Sequence, residues 1–235
     1  MSRITQNKNR LAQTERLKMF EDRKEAGQKL AVALASYKND NPIVLAIPRG
    51  GVEVGFYVAV FLHAPLSIIM VRKLPFPHNP EAGFGAIAED GAVFLLKDTS
   101  IIMPPDTIKK VIKEQNDELK RRIKVLRNDE PLPEIKDRAV ILVDDGIAMG
   151  STMHAAVILC RNKGAKKIVV AAPVAAPSTA AEFMRVADDV VILEKPVNFH
   201  AVAQVYRNWY DVPDEEVIEI IKKFQTNQEE IYGRN

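Results

Sequence analysis

The chain has 235 residues, of which 47% are hydrophobic and 27% charged. This is the composition of a globular protein with a real core, and it excludes a disordered or collagen-like chain. The formal charge of +2 gives no electrostatic case for a nucleic-acid or membrane-surface partner, and the single cysteine, Cys160, excludes an intrachain disulfide.

Residues 1–18 carry Arg3, Lys8, Arg10, Arg16 and Lys18 against Glu15 without an apolar period, which reads as a solvated arm. No apolar signal core stands at the amino terminus and no stretch approaches ~18 uninterrupted apolar residues, so no membrane span and a cytoplasmic location are expected. From Met19, the residues Phe20, Ala26, Leu30, Ala33 and Leu34 recur at helical spacing and predict a packed helix, closed by Asn39-Asp40-Asn41-Pro42. Ile43 to Ile47 is an apolar strand, Pro48-Arg49-Gly50-Gly51 breaks it, and a helix follows from about Val52 to Leu62. Such a turn can aim backbone donors and the Arg49 guanidinium at an anion, although Gly50-Gly51 also suits a plain tight connection.

Leu66 to Val71 predicts another strand, with Arg72 and Lys73 at its carboxyl edge, where ligands of open α/β sheets bind. Leu74 to Gly85 contains three prolines and two glycines and is expected to be a long irregular loop. Of the histidines, only His78 in this loop is a candidate acid or base. Gly83-x-Gly85-x-x-Ala88 imitates a dinucleotide fingerprint, but no strand is expected before it and no helix after it, so the motif is set aside. Ile87 to Leu96, centred on Asp90-Gly91, predicts a hairpin with a two-residue turn.

Residues 106–128 predict a long charged helix whose stripe of Ile108, Val111, Ile112, Leu119, Ile123 and Leu126 faces either this domain or a second subunit. Val140 to Val143 then reads as a strand buried on both faces, and the chain turns abruptly acidic, small and hydroxylated from Asp144 to Thr152. A helix is expected from Met153 to Lys163 with Gly164 at its end; Cys160 within it reads as a buried, inert thiol. An acidic pair therefore ends a strand, and Gly150-Ser151-Thr152 opens a helix whose unpaired N–H groups and positive dipole end suit a phosphate.

Strand Ile168 to Ala172, a helix near Ser178 to Val186 and strand Val190 to Leu193 continue the alternation. The fold class is thus α/β, a doubly wound, mostly parallel sheet flanked by helices, in one domain over residues 19–235. Phe199, Tyr206, Trp209 and Tyr210 cluster in the tail; core packing is the favoured reading, with Phe199 the best candidate to stack on a planar ligand. Pro213 to Phe224 predicts a final helix capped by Asp214.

The run Val140 to Thr152, four apolar residues followed by Asp-Asp-x-x-x-x-Gly-x-Thr, resembles the phosphoribosyl pyrophosphate signature of type I phosphoribosyltransferases. With Phe20 to Gly27, Pro48 to Gly51, Val71 to Leu74 and Gly85 to Gly91, it is similar to a group of bacterial and archaeal members over most of the chain. The resemblance implies that Asp144 and Asp145 bind the ribose hydroxyls and that Ala148, Met149, Gly150, Ser151 and Thr152 wrap the 5′-phosphate. It implies that Arg49, Gly50, Gly51 and Lys73 hold the pyrophosphate, residues 74–96 form a lid and hairpin, and residues 194–235 form a hood containing Phe199.

Mg2+ is expected to arrive on pyrophosphate and water rather than on direct protein ligands. The implied partners are phosphoribosyl pyrophosphate and a small-molecule acceptor, a nucleobase or a related compound, and a homodimer is the expected assembly. One departure stands out, since the family commonly has Thr where this chain has Met149. That residue lends weight to the competing reading, a regulator that binds the sugar phosphate without turning it over. A P-loop NTPase is disfavoured by the missing Gly-x-x-x-x-Gly-Lys-Ser/Thr loop.

Overall fold

The computed structural model describes residues 19–97 and 99–232. The amino-terminal arm lies outside them. Helix α1 (Arg23–Ala33), strand β1 (Ile43–Ala46), helix α2 (Gly50–Leu62) and strand β2 (Leu66–Ile68) open the fold. A three-stranded antiparallel unit follows, β3 (Val71–Phe76), β4 (Asn79–Ala88) and β5 (Val93–Leu95), then helices α3 (Thr99–Ile102) and α4 (Pro105–Arg127). The second half alternates β6 (Ala139–Val143), α5 (Ser151–Asn162), β7 (Lys167–Val174), α6 (Pro177–Phe183) and β8 (Asp189–Glu194), ending in α7 (Asp214–Tyr232).

The main sheet has the order β2-β1-β6-β7-β8 and every pairing is parallel, as the alternating strand and helix pattern predicts. Its central strands are apolar on both faces because helices cover both. Ile43, Leu45, Val140, Leu142, Ile168 and Val170 face α5 and α6. Their neighbours Val44, Ile141, Val143, Val169 and Ala171 face α1, α2 and α7. Chain order runs outward in opposite directions from the β1–β6 pair, so the sheet's topological switch point lies between those strands.

Several expectations need correction. The strand read over Leu66 to Val71 is divided: β2 ends at Ile68, and Val71 begins the antiparallel unit. Arg72 and Lys73 therefore leave the parallel sheet, and strand alternation sends their side chains to opposite faces. Leu74 to Gly85 is not irregular. It continues β3 and β4 as a ladder whose register shifts at Leu74/Pro75 and Pro75/Phe76, and at such bulges a proline without an amide donor is tolerated.

The Ile87 to Leu96 hairpin forms, but its turn is a three-residue loop: Ala88 N–H donates to Ala92 O at 2.8 Å and Gly91 takes φ +87°. Phe20 is not helical either. It forms a bridge with Tyr206, and the helix begins after Asp22, whose side chain accepts from Glu25 N–H. The stripe on α4 faces this domain: Ile108, Val111, Leu119 and Leu126 pack with Leu74, Phe84 and Ile87 of the hairpin and with Val217 of α7. Among the described residues no helix is long and apolar enough to cross a membrane.

Candidate active site

Ala46 and Val143 are register partners at the ends of β1 and β6, so the turns that follow them emerge side by side at the switch point. This is where open α/β sheets place ligands. The first turn, with a cis Pro48–Arg49 peptide, leads straight into α2. Its glycines sit on the acidic pair. A Cβ on Gly50 would lie 1.8 Å from Asp145 Oδ2, and one on Gly51 would lie 2.9 Å from Asp144 Cα. A side chain at Gly50 would displace the Asp145 carboxylate, and one at Gly51 the backbone of Val143 and Asp144.

Asp144 is half-buried and lines a cleft of about 250 Å³. Its Oδ1 accepts the Asp145 N–H at 2.8 Å. Asp145 is buried and turned away from that cleft: Oδ2 accepts from Arg23 Nε at 2.8 Å, while its carbonyl accepts from Tyr206 O–H at 2.7 Å. Burial pushes the Asp144 carboxyl well above the usual carboxylate range, and the adjacent Asp145 charge pushes the same way. Burial also raises Asp145, against the opposing pull of Arg23.

The second turn wraps the cleft. Ile147 N–H donates to Val174 O at 2.8 Å, Thr179 Oγ1 donates to Ala148 O at 2.8 Å, and Gly150 takes φ +78° against the Phe183 ring. Gly150 caps α5 in a conformation that side chains rarely adopt, so Ser151 and Thr152 begin the helix inside the cleft wall. The first N–H groups of that helix have no intrahelical acceptors and stand at its positive end. Met149, 63% exposed, forms part of the same wall.

Lys73 reaches the cleft from the antiparallel hairpin. Its stem crosses Gly83, where a Cβ would lie 2.5 Å from Lys73 Cγ, and its Nζ donates to Glu81 O at 2.7 Å. Arg72, on the opposite face, donates from Nε to Gln115 Oε1 at 2.9 Å and stands 3.7 Å from Glu118, so it braces α4. Arg49 stands at the head of the first turn with Nη1 3.6 Å from Asp214 Oδ1, beside the cleft rather than in its lining. Phe199 is buried with Phe20, Val174 and Val205, and it is Val202 that forms the cleft wall near Gly146.

Sequence reasoning missed Arg23. The residue is 3% exposed, donates from Nη1 to Tyr210 O at 3.0 Å, and places its guanidinium carbon 4.2 Å from the Trp209 ring centroid. The signal was present: Arg23 precedes Ala26 and Leu30 at helical spacing, which puts a cation on the apolar face of α1. The tail aromatics enclose this cation, with Tyr206 and Tyr210 also within 6 Å of it.

A family model described as the phosphoribosyl transferase domain matches residues 16–208. Rv0571c of Mycobacterium tuberculosis, whose name contains the words phosphoribosyl transferase, is 40% identical over 209 residues, covering 88% of this chain and 47% of that protein. The chain thus spans about half the length of the curated relatives it matches. The crystal structure of TT1426 from Thermus thermophilus superposes with a TM-score of 0.75 at 37% identity, covering 88% of this chain and 99% of that one.

Proposed function

Since the chain belongs to the phosphoribosyl transferase family, we propose that it moves the ribose 5-phosphate unit of phosphoribosyl pyrophosphate onto a nitrogen acceptor and releases pyrophosphate. The observation behind this reading is the meeting of two anion-suited turns across one acidic pair at the switch point of the sheet. A substrate with phosphates at both ends of a ribose matches that order of groups. The 5′-phosphate is assigned to the α5 N-terminus and the backbone of Ala148 to Thr152, and the ribose to Asp144, with Asp145 behind it. The diphosphate falls to the amides of Gly50 and Gly51, to Lys73 and to Arg49, whose guanidinium stands at the edge of the same turn.

Breaking the anomeric bond builds positive charge on the sugar and negative charge on the leaving group. Preorganised donors on the diphosphate stabilise that change most effectively where water is excluded. The β3–β4 hairpin, which brings Lys73, Glu81 and Gly83 to the cleft, is the element suited to exclude it. Among the described residues no group of three or more His, Cys, Asp or Glu side chains is placed to hold a metal. Mg2+ carried in on the diphosphate would supply positive charge against the leaving group, with Asp144 and Glu81 the acidic residues that line the cleft.

Incubation with phosphoribosyl pyrophosphate, Mg2+ and a panel of nucleobases, followed by assay for pyrophosphate and nucleotide, tests the proposal. The expected result is pyrophosphate release that depends on one acceptor class. Binding of phosphoribosyl pyrophosphate without release under any acceptor would favour the regulator, a reading supported by exposed Met149 in the phosphate turn. Absence of binding would remove both.

A further inference from the structure

We propose that Arg23 is a positioning residue for the proposed transfer: it fixes the Asp145 carboxylate under the Gly50 turn and ties the acidic pair to the tail segment 205–210. This inference rests on the phosphoribosyl transfer reading and names a residue that acts through the site rather than on the substrate. Three contacts converge on its guanidinium. Nε donates to Asp145 Oδ2 at 2.8 Å, Nη1 donates to Tyr210 O at 3.0 Å, and Cζ lies over the Trp209 ring, 4.2 Å from its centroid. The Gly50 turn touches the same ion pair, since a Cβ on Gly50 would meet Asp145 Oδ2 at 1.8 Å and Arg23 Nε at 2.8 Å.

The tail is held to the same place by backbone. Phe20 N–H donates to Val205 O at 2.7 Å, and Phe20 O and Glu21 O accept from Arg207 N–H and Asn208 N–H at 2.9 and 3.0 Å. Tyr206 closes the loop through its O–H bond to Asp145 O. Asp145 is thereby gripped at its carboxylate by α1 and at its carbonyl by the tail. The ribose-facing Asp144, whose Oδ1 accepts the Asp145 N–H, inherits that position.

Charge makes the same point. Asp22, Glu53 and Glu216 add negative potential around this junction, and the Tyr206 and Tyr210 hydroxyls face it as well. Arg23 is the cation that acts on both Asp144 and Asp145. Two adjacent carboxylates, one buried and one half-buried, deprived of it would take up a proton or separate, and either change alters the group offered to the ribose.

The test is calorimetric titration with phosphoribosyl pyrophosphate and Mg2+ of wild type, Arg23→Gln, Asp145→Asn and the double variant, each checked for a cooperative thermal transition. Arg23→Gln is expected to weaken binding by roughly tenfold to a hundredfold, the scale of a small misplacement of a binding group. The double variant is expected to bind no more weakly than the worse single one, because both substitutions remove one coupled unit. Unchanged affinity in Arg23→Gln, or losses that multiply in the double variant, would overturn the proposal while leaving the transfer reading intact. Wild type that takes up no ligand would overturn both. If Arg23→Gln does not fold, Trp209→Leu serves instead, because it removes the ring under the guanidinium but leaves the ion pair's partners; a several-fold loss of affinity supports the proposal and an unchanged affinity rejects it.

Discussion

At the scale of single residues, His154 shows how a buried polar group next to the site sets a pH dependence. The imidazole lies between the rings of Phe94 and Phe183, at centroid distances of 4.3 and 4.4 Å, and its Nε2 stands 3.0 Å from Glu182 Oε1. Burial lowers its pKa below the ordinary histidine value, outweighing the opposing pull of Glu182. A folded-state pKa below the unfolded one means that the unfolded chain binds more protons on acidification. Stability is therefore complete above the unfolded value of about 6.5 and falls as pH drops from there through the folded pKa. Thermal melting from pH 7.5 to 5.5 is expected to show a decline that is smaller in His154→Gln; an identical decline in both would exclude His154 as its source. Nothing in sequence marked this residue, because its two aromatic partners lie on β5 and α6, far from it in the chain.

At the scale of elements, the hairpin and the long helix α4 depend on one buried ion pair. Arg127, at the last turn of α4, pairs through both Nη atoms with Glu89 in the β4–β5 turn. It also donates from Nη1 to Ile68 O, while Glu89 Oε1 accepts the Met70 N–H. That set of bonds fastens the corner at which the chain leaves the parallel sheet. Arg127→Met leaves a buried carboxylate without its partner and is expected to destabilise by about 3–5 kcal/mol, read as a lower urea midpoint with an unchanged slope. Arg127→Met with Glu89→Leu is expected to recover part of that loss, since it removes the unpaired charge but leaves the Met70 N–H and Ile68 O without these side-chain partners. Local rules exclude proline from regular strands, but register shifts in a short antiparallel unit remove the need for the missing donors.

At the scale of the whole molecule, the site draws on elements from both ends of the chain: α1, the turns after β1 and β6, the β3–β4 hairpin and the tail before α7. A ligand that bridges them should stabilise the fold as a unit. At a concentration of one hundred times Kd, phosphoribosyl pyrophosphate with Mg2+ is expected to add about 2.7 kcal/mol, which for a chain of this size raises Tm by roughly 5 to 10 °C. A scanning experiment in which the proposed donor substrate leaves Tm unchanged would count against the assignment of the cleft. Pyrophosphate alone, reaching only the first turn and Lys73, is expected to raise it less.

The alternating α/β order, the buried central strands and the two turns suited to anions were legible in the order of residues alone. Those features are local: periodicity, an abrupt change from apolar to acidic residues, and glycines where the backbone turns. Tertiary structure decided which of the candidate groups share a cleft. Lys73 and Arg72 are adjacent in sequence, yet strand alternation sends one to the cleft and the other to α4. Asp144 and Asp145 read as an equivalent pair, yet only Asp144 lines the cleft, because Arg23 from the start of the fold and Tyr206 from its tail hold Asp145 beneath it. Contacts between residues 122 and 61 positions apart have no local signature, so the difference between the two carboxylates could be read only once the chain had brought Arg23 and Tyr206 to Asp145.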